Sequence, residues 1–178
     1  MLGEKIRKKR MEKEMSLSQL AENIGRTASY LSQIERDLAE PSLSSLRQIA
    51  RVLEVPIFYF LLDEARDRPL VKKAERKTLQ FPAAHQIYEL LSPDLNHNIE
   101  MIQARLEPGA TTCQEPLSHP GEECILVLQG EMEIQVGEEH YSLESGDSIH
   151  YYAAIPHRIK STGQEELIFV SAISPPAF

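Results

Sequence analysis

From Ser16 to Glu35 the chain reads SLSQLAENIGRTASYLSQIE, and its apolar positions fall at helical spacing in two short runs separated by Gly25. Leu20, Ala21 and Ile24 share one face of the first run, and Ser16 followed by Gln19 has the capping-box spacing that starts a helix. Gly25 supplies the permissive backbone of a sharp turn. Thr27 is placed to cap the second run, where Leu31 and Ile34 face inward while Ala28, Ser29, Ser32 and Gln33 face outward. Two helices joined this way have the layout of a DNA-reading helix-turn-helix, although Leu and Ile at helical spacing also describe any helical hairpin.

The flanks extend the helical pattern. Leu2 to Glu14 forms a preceding helix carrying Lys5, Arg7, Lys8, Lys9, Arg10 and Lys13, a density of cations suited to phosphate oxygens. Ser42 caps a fourth helix with Leu43, Leu46, Ile49, Ala50 and Leu53 on its apolar face, and Pro56 opens a fifth. Residues 1–62 therefore read as an all-α domain of five helices. Asp63 to Lys77 has no apolar face and contains Pro69, so residues 63–84 read as a charged linker.

Beyond the linker the pattern changes to alternation. Residues 98–106, 124–129, 131–136 and 167–172 read as strands, punctuated by Gly109, Gly130, Gly137, Gly146 and Gly163. Short strands with regular turns and no intervening helices predict a sandwich or closed barrel over 85–178.

Charge sharpens this division. The net charge of -8 is about +2 over residues 1–60, +2 over 61–78 and -12 over 79–178, where Arg105, Arg158 and Lys160 are the cations. DNA affinity belongs to the first third, and the acidic remainder is either a solvated surface or a site for a cationic ligand. Cys113 and Cys124 do not form a CxxC pattern, so they read as small apolar residues or a redox pair rather than a zinc site. No signal peptide or membrane-length apolar run is present, which places the chain in the cytoplasm and predicts no membrane partner.

The run from Lys5 to Leu61, with LSQLAENIG, SYLSQIER, EPSL and LRQIARVLEVP, resembles the five-helix DNA-binding domain of the lambda-repressor and Cro/C1-type (Xre) regulators. The resemblance implies that the second helix of the pair enters the major groove. Carried onto this sequence, Thr27, Ala28, Ser29, Ser32 and Gln33 become base or near-base contacts, and Arg10, Ser16, Arg26 and Arg36 become phosphate contacts. Asp37 and Leu38 depart from the family, which commonly has glycine and then a basic residue there.

The second half resembles the cupins, small double-stranded β-helix or jelly-roll barrels. Their first motif is matched by His119, Glu123 and Gly130, and their second by Gly146, Asp147 and His157. Leu117 stands where the first histidine of the usual His-x-His would be, and Tyr152 and Ala154 replace the usual proline and glycine. The resemblance implies a divalent metal such as Fe, Zn, Mn or Ni on His119, Glu123 and His157, the two-histidine, one-carboxylate set of non-haem iron centres. With one ligand lost, a metal-free pocket in which the same residues hydrogen-bond an organic effector is the alternative.

Together the halves resemble an Xre-type regulator with a cupin sensor, and PGATTC, HPGEE, VLQGE, IPHRI and SAISPPAF are most similar to regulators of polyamine metabolism. That implies a homodimer on operator DNA that responds to a small, cationic effector. Glu115, Glu122 and Glu123 are then candidate counter-ions, and Tyr151 and Tyr152, beside His119 and His157, candidate pocket walls. The competing reading is a non-haem iron enzyme of the phosphonate-epoxidase kind, which also joins a helical domain to a cupin.

Overall fold

Four α-helices make the first of two units: α1 Leu2–Glu12, α2 Leu17–Asn23, α3 Ala28–Glu35 and α4 Leu43–Leu53. The structure, a computed structural model, describes residues 1–62 and 69–178. Its two units span Met1–Asp63 with Phe178, and Glu64–Ala177.

Local chemistry sets the helix boundaries. Ser16 accepts a hydrogen bond from Gln19 N while the Gln19 side chain accepts from Ser16 N, closing the predicted capping box. Gly25 sits at φ 62, and its N–H and that of Arg26 donate to Glu22 O and Ala21 O, which ends α2 and turns the chain into α3. Thr27 and Ser42 accept from Tyr30 N and Ser45 N, capping α3 and α4. Ile6, Leu20, Leu31, Ile34, Leu46, Ile49 and Leu53 are all buried and form the core.

The expected fifth α-helix is instead a single 3-10 turn, Ile57–Phe60. Ile57, Phe58 and Phe60 are all buried, and three of four consecutive side chains cannot share one α-helical face.

The second unit carries nine strands among the described residues. Six form one sheet in the order β1-β2-β3-β9-β4-β7, made of Thr78–Phe81, Gln86–Leu90, Glu100–Leu106, Leu167–Ser174, Glu122–Gln129 and Ser148–Tyr152. Three form a second sheet in the order β6-β5-β8, made of Glu139–Leu143, Met132–Val136 and His157–Ser161. The pairs recorded within both sheets are antiparallel. The unit is thus two sheets rather than the closed barrel expected from the resemblance. Ile102, Ala104, Ile125, Val127 and Phe169 from the larger sheet and Met132, Ile134 and Ile159 from the smaller are buried, the alternation expected of sheets with one inward face.

The segment expected to be linker through residue 84 ends sooner, because Thr78–Phe81 pairs with Gln86–Leu90 as an edge strand. Residues 63–68 of that linker lie outside the described residues. Among the described residues, no helix is long and apolar enough to cross a membrane.

Candidate functional site

The helical unit presents α3 with the outward face that the sequence predicts. Arg26, Thr27, Ser29, Gln33 and Arg36 are exposed, and Ala28 and Ser32 are partly so. Arg26 lies over the Tyr30 ring at 5.8 Å, and Arg36 Nε donates to Ser32 O at 3.2 Å, so both cations are held at the rim of the helix. Ser16 is exposed at the start of α2; its oxygen caps the helix, and its O–H remains a donor.

Arg10 is not available to phosphate. Its side chain is 10% exposed and forks onto Glu35, with Nε to Oε1 at 2.6 Å and a terminal nitrogen to Oε2 at 2.9 Å, while the other terminal nitrogen donates to Met15 O at 2.6 Å. The carboxylate raises the Arg10 pKa against the opposing effect of burial. Arg10 therefore ties α1 to the end of α3, with its guanidinium committed to Glu35 and Met15. Of the other cations on and just after α1, Lys13 pairs with Glu54, and Lys9 with Glu12 at 3.4 Å, while Arg7 and Lys8 stay exposed.

Sequence reasoning missed Gly3 and the structural part that Asp37 plays. A Cβ on Gly3 would lie 2.1 Å from Ile34 O, so only glycine lets α1 approach α3 this closely. Asp37 occupies the left-handed region at φ 54, as the family's glycine would, and its carboxylate accepts Gly3 N–H at 2.9 Å. The departure from glycine is thus repaid by a hydrogen bond between the same two helices.

In the second unit, His119 and Glu123, four residues apart, converge with the distant His157. His119 Nε2 lies 3.3 Å and His157 Nε2 3.5 Å from Glu123 Oε2, and one ligand atom from each residue falls within 4.8 Å of the others. Strand order explains this. Glu123 is an inward position of β4, His157 opens β8, and His119 sits in the loop before β4, where its N–H donates to Ala153 O. Leu117 brings no ligand, but its backbone exchanges hydrogen bonds with His157 at 2.8 and 3.0 Å and so holds that residue in place.

The electrostatics of the triad are tightly coupled. Burial works against charge on His119, but the hydrogen bond and charge of Glu123 outweigh it and raise its pKa above 6.5. Burial likewise favours a neutral Glu123, yet bonds from His119 and Ser171 and the charge of His157 hold its pKa below 4.5. Tyr151 is buried against the His157 ring at 5.0 Å, and burial with the nearby Glu123 charge pushes its pKa up.

Each imidazole also has its Nδ1 against a backbone carbonyl, His119 on Pro120 O at 3.2 Å and His157 on Ile155 O at 2.9 Å. With Nδ1–H donated there, both Nε2 lone pairs face the carboxylate. Three acceptors pointed at one another need a cation or protons between them, and this donor set fits a divalent metal.

The other expected pocket residues separate. Glu122 neighbours Glu123 on β4 and so faces the opposite side of the sheet, where its carboxylate meets His150 Nε2 at 2.9 Å. Tyr152 is paired with Glu122 on that outer side and is exposed, and Glu115 is exposed in a loop. Two residues not foreseen face inward. Ser171 donates to Glu123 Oε1, and Glu100 is fully buried on β3, where it accepts Ala177 N–H at 3.0 Å and its charge acts on His119. Their signal was present in the strands: Ser171 and Glu100 are polar residues at inward positions of otherwise apolar faces.

Residues 6–60 match the profile of the helix-turn-helix family and residues 103–173 that of the cupin domain. Along its whole length the chain is 28% identical to the HTH-type transcriptional regulator PuuR of Escherichia coli, covering 99% of this chain and 96% of that one. The chain is a helix-turn-helix regulator with a C-terminal cupin domain. A solved helix-turn-helix family regulator from Vibrio cholerae has the same fold over 97% of this regulator and 94% of its own chain, at 24% identity and a TM-score of 0.75. Hydroxypropylphosphonic acid epoxidase from S. wedmorenis shares the fold more loosely, at 20% identity and a TM-score of 0.51 over 97% of this chain and 96% of its own. The enzyme is related in fold alone, whereas PuuR is similar in sequence along the full length of the chain.

Proposed function

We propose that this regulator binds operator DNA through α3 and that a cation held by His119, Glu123 and His157 controls the binding. The observation that carries the reading half is the outward face of α3, where small and amide side chains lie between two exposed arginines. Thr27, Ala28, Ser29, Ser32 and Gln33 approach base edges in the major groove, and Ser16, Arg26 and Arg36 hold phosphates at either side. Two copies bind together, each reading one half-site about one helical turn from the other, because a single small reader contacts too little DNA for operator affinity at cellular salt. Such a protein works in the cytoplasm.

The sensing half rests on the convergence of the triad. A divalent metal such as Fe, Zn, Mn or Ni supplies positive charge to two imidazoles and a carboxylate, and these three residues would hold it. A primary ammonium presents three N–H donors to the same three acceptors, so a polyamine end-group is the second chemistry the site suits. The acidity of the chain beyond residue 79 favours either cation over an anion.

The test is an operator complex followed by fluorescence anisotropy while zinc, ferrous iron, putrescine and spermidine are titrated separately into chelator-treated protein. One of these cations changes operator affinity at least tenfold, and His119→Gln removes the response. If none shifts the affinity, the triad is not the sensor.

A further inference from the structure

Leu117 leaves the triad without the first histidine of the usual pair, so a cation on His119, Glu123 and His157 keeps an open side. Tyr151 stands against that site. It is paired with Glu123 in the register of β4 and β7, which puts the two side chains next to each other on the inward face of the larger sheet. Tyr151 is 7% exposed and the adjoining Tyr152 65%, so alternation turns just one of the two tyrosines inward. The Tyr151 ring centroid lies 5.0 Å from that of His157, which lies 5.1 Å from that of His119.

The Tyr151 hydroxyl is buried and, among the described residues, makes no hydrogen bond of ordinary geometry. It is nonetheless close enough to the Glu123 carboxylate that each group shifts the pKa of the other. A buried hydroxyl without a partner destabilises the fold, and phenylalanine would pack the same ring without that loss. A phenol oxygen carries lone pairs, so a cation at the triad gives it the partner that the protein withholds.

We propose that Tyr151 Oη is a fourth ligand of the cation held at the triad, and that the resulting set of two nitrogens and two oxygens takes iron in its ferric form. The assignment rests on the triad as a cation site, and adds to it a ligand and a choice among metals. Imidazole suits iron as well as zinc, copper and nickel, and the two oxygens shift the set toward a harder ion. Ferric ion is the hardest of these. When it binds, the Oη–H bond breaks, the proton passes to water and the electron pair forms the bond to iron; no electron is transferred. The charge of the ion outweighs the burial and the Glu123 charge that otherwise keep the phenol protonated. Charge also agrees with a trivalent ion: Glu123, the phenolate and Glu100, which is fully buried and whose charge acts on His119, bring three negative charges around it.

For the test, chelator-treated full chain is incubated with ferric nitrilotriacetate, freed of excess by gel filtration, and read for iron content and visible absorption. The wild type retains about one iron per chain and shows a phenolate-to-iron charge-transfer band, with tyrosine ring modes enhanced in the resonance Raman spectrum excited within it. Tyr151→Phe folds, binds iron at least tenfold more weakly and loses the band, whereas Tyr141→Phe, which alters an exposed tyrosine, keeps it. His119→Gln loses both the iron and the band. Iron that is retained without the band, or a band that persists in Tyr151→Phe, overturns Tyr151 as a ligand and leaves the triad as a metal site. No iron uptake, or equal uptake by wild type and His119→Gln, overturns the proposal together with iron at the triad, while the zinc and amine titrations against operator still decide the sensor reading.

Discussion

Arg10 illustrates how a residue type misleads when its neighbours are unknown. In sequence it is one of six cations on a helix and reads as a phosphate contact; in the fold it is a buried fork on Glu35. The two readings predict different variants. Arg10→Ala leaves the Glu35 carboxylate buried without its partner and destabilises the helical unit by about 3–5 kcal/mol, measured by chemical denaturation. Its operator affinity then has an unchanged salt slope per folded molecule, whereas loss of a phosphate contact would lower that slope by about one. Gln33→Ala behaves oppositely: stability holds, while discrimination among operator variants falls by about 1–3 kcal/mol in competition binding. The triad makes a prediction in pH. His119 has its pKa raised above 6.5, so in chelated protein its stabilisation is full below that value and disappears as pH rises through the raised one. Glu123, lowered below 4.5, stabilises above that value and loses its effect as pH falls through the lowered one. Thermal melting of the chelated protein is therefore highest between these limits and declines toward alkaline pH, and His119→Gln flattens the decline. A divalent metal replaces the protons and restores the melting temperature at pH 8.

At the scale of elements, legibility followed burial. The pair α2 and α3 was readable because each helix has a cap, an apolar face and a glycine turn, all written within twenty residues. Strands β3, β4, β5 and β9 were readable because they alternate strongly. Strand β6 was not, since four of its five residues are exposed and it carries no period, and β7 buries Tyr151 alone. Strand β1 was absorbed into the charged linker because its four residues hold only Leu79 and Phe81 as inward positions. The fifth helix failed for a packing reason, as burial of three side chains among four consecutive residues suits the tighter turn. Convergence of His119, Glu123 and His157 was suggested by family spacing, whereas Ser171 and Glu100 are legible as polar residues on apolar strand faces but are brought to the triad only by strand register. Helix contact gives a further expectation. Gly3→Ala places a methyl 2.1 Å from Ile34 O and forces α1 away from α3, costing about 1–3 kcal/mol in denaturation and loosening the Asp37 bond.

At the scale of the molecule, a basic helical unit and an acidic β unit divide the work of reading and sensing. Among the cations of the first, Arg10 is committed to holding helices, while Arg26 and Arg36 are exposed beside α3. The second brings together three acceptors, the buried Glu123 and the partly buried His119 and His157, in an arrangement that suits a cation. The central claim is that α3 reads sequence as one half of a pair. Selection of bound duplexes from a randomised DNA pool by the full chain, at near-physiological salt, tests it most directly. The account predicts enrichment of an inverted repeat whose half-sites lie about one helical turn apart, lost in a Ser29→Glu, Gln33→Glu variant that stays folded. Recovery of no common sequence, or of the same repeat by that variant, would contradict it.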